Sequence, residues 1–204
     1  MSIADYNGAA IVGMSGKDCV AIAADRRFGI QGQMVANDFD KIFRMTDTLY
    51  VGLAGLATDV QTMSNLLEFR LGLYELREER QMSPQVLAKM LSSIMYEKRF
   101  GPYFVAPVVA GLDAKGQPFL STSDSIGALA TDDDFVVAGN VTENLNGMCE
   151  SLYRKDMGPE ELFETISQCI MSATDRNAIT GNGAVVHVIT KEGVITRELK
   201  GRQD

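Results

Sequence analysis

Four groups of residues in this 204-residue chain are of types that do chemistry, and each is read first for what it could perform. Gly13-Met14-Ser15-Gly16-Lys17-Asp18 has the flavour of a phosphate-cradling loop. Such a loop needs a glycine five residues before its Gly-Lys and a hydroxyl after it. Ile11 and Asp18 occupy those positions, so a nucleotide site is excluded. Asp132-Asp133-Asp134 offers hard carboxylate oxygens, but without the ordered oxygen spacing of a cation loop it reads as a solvated turn. Cys19, Cys149 and Cys169 are widely spaced in apolar surroundings and are expected as buried free thiols. With His187 as the single histidine there is no zinc constellation, and no metal or other cofactor is expected.

The elements that must carry these residues follow from periodicity. Gly8 to Met14 and Cys19 to Asp25 are β-rich runs around a Gly16-Lys17 turn. Lys41 to Met45 and Thr48 to Leu53 read as a second hairpin. From Thr58 the period changes: Val60, Met63, Leu67, Leu71 and Tyr74 mark an amphipathic helix to about Glu79. Ser83-Pro84 opens another helix, with serine as cap and proline at the first position. Pro107 to Leu112 and Gln117 to Thr122 form a third hairpin, and Phe135 to Ala138 is a short buried strand. Thr142 to Tyr153 is helical, and Gly158-Pro159-Glu160-Glu161 opens a last helix with acids in its first turn. Ala184 to Thr190 and Val194 to Leu199 close the chain as strands. Blocks in this order predict a layered α/β arrangement built on antiparallel hairpins, within a single domain over 1–204.

Composition narrows the class of partner. A net charge of −8 and a pI near 4.7 disfavour nucleic acid and anionic membrane, which attract basic surfaces. No apolar stretch reaches membrane-spanning length, and no basic-then-apolar leader is visible at the start. Cytoplasm and nucleus are the expected compartments, where the Asn140-Val141-Thr142 sequon has no meaning. The aromatic-rich run Arg99-Phe100-Gly101-Pro102-Tyr103-Phe104 favours assembly over a free monomer.

The segment from Gly8 through Asp25-Arg26-Arg27 resembles the opening of a proteasome beta subunit, an N-terminal-nucleophile hydrolase. Lys41-Ile42-Phe43, Gly52 to Asp59, Phe135 to Gly139 and Asp175 to Gly181 match that family in order and spacing. Tyr96 to Tyr103, Gly147 to Tyr153 and Leu162 to Gln168 resemble one beta subtype. The resemblance covers nearly the whole chain. It implies a four-layer αββα sandwich of two antiparallel sheets flanked by helices.

It also implies a reaction. In active members a threonine hydroxyl attacks a carbonyl, a lysine held by an aspartate eases its deprotonation, and a backbone N–H stabilises the oxyanion. The aspartate maps to Asp25, the lysine to Lys41 and the oxyanion glycine to Gly55. The threonine maps to Ala9, whose methyl group has neither an oxygen nor a transferable proton. A supporting serine maps to Asn140, and the aspartate and serine of a third segment map to Asn177 and Thr180. The resemblance therefore implies no catalytic residue and no enzyme activity for this chain. Asp25 and Lys41 are expected to persist as a buried ion pair. Ser2, with its amine freed, would be a rival nucleophile, but it lies seven residues upstream of Ala9.

The implied partners are other alpha and beta subunits in a particle of four stacked seven-membered rings that degrades proteins through its other chains. In that setting Asp124, in Ser123 to Ala128, is expected at the edge of a neighbour's cleft, where its carboxylate attracts basic substrate side chains. The alternative is an isolated binding or scaffold module of the same fold.

Overall fold

The computed structural model describes residues 3–202. Two five-stranded antiparallel sheets lie face to face between two layers of helices. The first sheet contains β1 (Ala10–Gly16), β2 (Cys19–Asp25), β10 (Phe135–Gly139), β11 (Ala184–Thr190) and β12 (Gly193–Leu199), in the order β10-β1-β2-β11-β12. The second contains β5 (Ile42–Thr46), β6 (Leu49–Gly55), β7 (Val105–Leu112), β8 (Pro118–Ser123) and β9 (Leu129–Asp132), in chain order. The short β3 (Phe28–Ile30) and β4 (Gln33–Ala36) form a separate hairpin.

Strand burial explains the layers. Every residue of β2 is buried, because one face meets helices and the other meets the second sheet. Ala10, Val12 and Met14 of β1 point toward α3 (Thr142–Leu152) and α4 (Pro159–Thr174). The alternate Ala9 and Ile11 enter the core between the sheets with Tyr50, Val108 and Leu120. On the far side Leu49, Val51 and Leu53 pack under α1 (Ala57–Glu78) and α2 (Pro84–Glu97). The expected four-layer αββα sandwich is the observed fold.

Element boundaries differ from expectation where local geometry intervenes. β1 begins at Ala10 rather than Gly8, because Gly8 has φ +72° and a Cβ there would lie 1.9 Å from the carbonyl oxygen of Ile179. Ser83 caps α2 as expected, accepting the Val86 N–H at 3.4 Å. The β3–β4 hairpin and β9 had no expectation attached. They are three and four residues long and mostly exposed, so they lack an apolar alternation to read. All three cysteines are free and buried. The 132–134 run is an exposed turn in which Asp132 accepts the Asp134 N–H.

Candidate functional site

Asp25, at the end of β2, sits at the centre of a buried polar cluster. Its Oδ1 accepts the Ala10 N–H at 2.9 Å and the Lys41 ammonium at 2.7 Å, and its Oδ2 accepts the Gly181 N–H at 3.1 Å. Lys41, which immediately precedes β5, gives its other protons to the carbonyls of Asp25 at 3.2 Å and Arg27 at 2.7 Å. All three ammonium protons are therefore committed, an arrangement a neutral amine with two protons could not satisfy. Side-chain exposure is 3% for Lys41 and 0% for Asp25. Burial pushes the lysine pKa down from its ordinary range, and the Asp25 carboxylate opposes that shift.

Ala9 lies beside this pair. It is 1% exposed, and the space bounded by Ala9, Lys41 and Gly55 has no room for a water molecule. Gly55 ends β6 with φ +142°, and a Cβ there would lie 2.1 Å from the Phe104 carbonyl oxygen. Only glycine fits that approach. Next to it a cleft of about 390 Å³ is lined by Gly55, Phe104, Ser125, Asp5 and Asn140 among others.

The chain before Ala9 is built into the fold. Asn140 Oδ1 accepts the Ala9 N–H at 2.9 Å, while its Nδ2 donates to the Asp5 carboxylate. Asn7 is buried and spans two elements: its Nδ2 donates to Gly29 O and its Oδ1 accepts the Ala57 N–H, both at 2.9 Å. The second bond caps α1, whose own N-cap residue Leu56 supplies no side-chain acceptor. Tyr6 O accepts the Gln31 N–H at 2.8 Å from the β3–β4 turn. Ser2 lies outside the described residues.

The structure thus brings Ala9, Asp25, Lys41, Gly55 and Asn140 together. Asn177 and Thr180 border a different cavity with Arg27, joined to the first group by the bond from Gly181 to Asp25. Asn177 Oδ1 accepts the Ile179 N–H at 2.9 Å, and the buried Thr180 hydroxyl has no hydrogen-bond partner among the described residues. Asp124 stands apart, exposed after β8, with Oδ1 accepting the N–H groups of Ile126 at 3.0 Å and Ala128 at 2.8 Å. Sequence reasoning missed Asp5, Asn7 and the setting of Arg27. Asn7-Gly8 directly before an apolar strand was the one available signal, since asparagine and glycine mark a bend held by side-chain hydrogen bonds.

Among known proteins, the family described as proteasome subunit matches residues 6–189. The chain belongs to the proteasome subunit family. It is 56% identical to proteasome subunit beta type-3 of Picea mariana over 204 residues, covering all of both chains. The beta type-3 subunit of Dictyostelium discoideum is 54% identical over 205 residues, and the probable beta type-3 subunit of Schizosaccharomyces pombe 52% over 204, again with full coverage of both. Within this proteasome fold, the groups around residue 9 can hold an ion pair and a peptide N–H. The described residues around it place no hydroxyl, thiol or free amine at the position of Ala9.

Proposed function

We propose that this chain is a structural beta subunit of the proteasome, of the beta type-3 kind, without peptidase chemistry of its own. It contributes wall and ring contacts to a particle of four stacked seven-membered rings, in which other subunits cut the protein substrates. It needs no cofactor for that role, and it works in cytoplasm and nucleus. The observation that carries the non-catalytic part is the side chain of Ala9 itself, a buried methyl beside the Asp25–Lys41 pair in a space too small for water. An N-terminal nucleophile of the threonine kind requires a hydroxyl at that point, and a methyl side chain has none. Asp25, Lys41 and Gly55 then serve the fold: the first two as a buried pair whose separation would strand a charge, the third as a close-approach glycine.

The test is to treat purified particles with an electrophile that reacts with N-terminal threonine and to identify the labelled chains. This chain should stay unlabelled and retain the residues before Ala9 in its intact mass. A covalent adduct on it, or a mature start at Ala9, would refute the proposal. The competing proposal of an isolated module of the same fold predicts a free species of 22.2 kDa on native mass measurement.

A further inference from the structure

Among the described residues, Arg27 is a buried cation without a counter-ion. It is 5% exposed, and no carboxylate of the described residues lies within ion-pair distance of it. Its Nη1 donates to Ile179 O at 3.1 Å and its Nη2 to Gln31 O at 3.2 Å. A guanidinium carries five N–H donors, so three remain without an acceptor among the described residues. The group packs against Gly29, where a Cβ would come within 2.1 Å of Nη1.

The buried charges do not cancel. Asp25, Lys41 and Arg27 are 1%, 3% and 5% exposed, one anion against two cations. Lys41 already takes the Asp25 carboxylate, at 2.7 Å. An uncompensated buried charge is among the costlier features a fold can carry, so such a group is normally met by a partner.

A cavity of about 350 Å³ opens beside Arg27. Its wall includes Thr180, Gly181 to Gly183, Gly201 and Arg202; the Thr180 hydroxyl oxygen is itself closed off from the cavity. Asn177 and the exposed Asp175 stand on its border, and Asp175 makes no ion pair with Arg27. The unfilled guanidinium donors thus lie beside an open space. A planar fork of donors matches two carboxylate oxygens.

We propose that this cavity is a carboxylate-binding site, with the Arg27 guanidinium as its donor. The occupant is either a free small carboxylate or an acidic group from an adjoining chain. The chemistry is the same, and the source is for experiment to separate.

The first arm is thermal unfolding of the full chain in formate, at ionic strength matched with chloride. A saturable upward shift of about 2–4 °C is expected for formate. Arg27→Gln should abolish it. Asn177→Asp keeps the acceptor for the Ile179 N–H and brings the chain's own carboxylate to the cavity, so it should raise the starting midpoint and suppress the formate shift. If Arg27→Gln does not fold, Asn177→Asp still decides. A formate shift that survives in the foldable variants, or that chloride matches, overturns the site. The second arm is a high-resolution map of intact particles containing this chain, which rests on the proteasome assignment as the first arm does not. A neighbour's carboxylate on Arg27 identifies the adjoining chain as the source, and a separate anion identifies a free ligand. Water alone around the guanidinium in that map overturns the proposal.

Discussion

Asn140 holds the Ala9 N–H through its side-chain oxygen at 2.9 Å and donates its own amide protons to Asp5, so one side chain fastens the residues before Ala9 on both sides of the Gly8–Ala9 peptide. Both members of this link are distant in sequence, 131 and 135 residues from Asn140. The amide accepts and donates from two separate atoms, where a hydroxyl would have to serve both partners through one oxygen.

Removing that link should loosen the segment. In Asn140→Ala the buried Ala9 N–H loses its acceptor, at a cost of about 1–3 kcal/mol. Hydrogen exchange at the Ala9 amide should accelerate, and proteolysis before residue 9 should become easier. Unchanged exchange at Ala9 would show that the bond does not hold the segment.

Introducing the missing hydroxyl should not create an enzyme. Ala9→Thr places a larger side chain where there is no room for water, and it leaves the Gly8–Ala9 peptide clamped by Asn140. The reacting groups then lack the near-attack geometry that autolysis requires. Intact-mass measurement of the variant should give an uncut chain. Efficient cleavage after Gly8 would contradict this.

The buried pair gives a stability prediction with a structural refinement. Lys41→Ala leaves Asp25 with two backbone N–H groups and no cation, and should cost about 3–5 kcal/mol. Replacing both residues with apolar groups would orphan the Ala10 and Gly181 N–H groups as well. The informative double variant is therefore Asp25→Asn with Lys41→Met, which keeps an acceptor and removes both charges. It should unfold at higher denaturant than Lys41→Ala. If it is the weaker of the two, the pair is not the main determinant here.

Much of the frame was legible because burial writes a period into sequence. The β2 run from Cys19 to Asp25 and the α1 stripe of Val60, Met63, Leu67 and Leu71 are buried as their spacing predicts. β3, β4 and β9 were not legible, since exposed edge segments carry no such period. The positions around the site came from family resemblance, and their contacts did not. Asn7 acts on Gly29 and Ala57, 22 and 50 residues away, and Arg27 reaches Ile179 across 152 residues. Contacts of that range depend on how the layers fold together, and no local pattern encodes them.

Alkaline stability should depend on Cys19. Burial, with the neighbouring Asp18 charge adding to it, pushes this thiol up from 9.0 to about 11. Between those values the unfolded chain has released the proton that the folded chain keeps. Stability is thus full below pH 9 and falls as pH rises toward 11, by on the order of 2–3 kcal/mol for this group. Cys19→Ala should start from a lower midpoint, because it leaves a small cavity, but lose less between pH 9 and 11. Identical slopes in urea titrations of the two proteins would remove Cys19 as the cause.

Asp124 offers a test of shared specificity in the assembled particle. Its carboxylate closes a turn by accepting the Ile126 and Ala128 N–H groups through Oδ1 alone. Asp124→Asn keeps that oxygen and removes only the charge, whereas Asp124→Ala removes both. If the carboxylate reaches a neighbour's cleft, Asp124→Asn should raise KM for substrates basic before the scissile bond, by on the order of 1 kcal/mol for an exposed contact. Acidic and apolar substrates should be unaffected. Asp124→Ala should add a loss of stability of about 1 kcal/mol from the broken turn, comparable to the loss of a helix cap. Equal loss for all three substrates in Asp124→Asn would assign the residue to loop structure alone. No change with the basic substrate would place it outside the cleft, because Coulomb attraction at an exposed site cannot act without raising KM when the charge is removed.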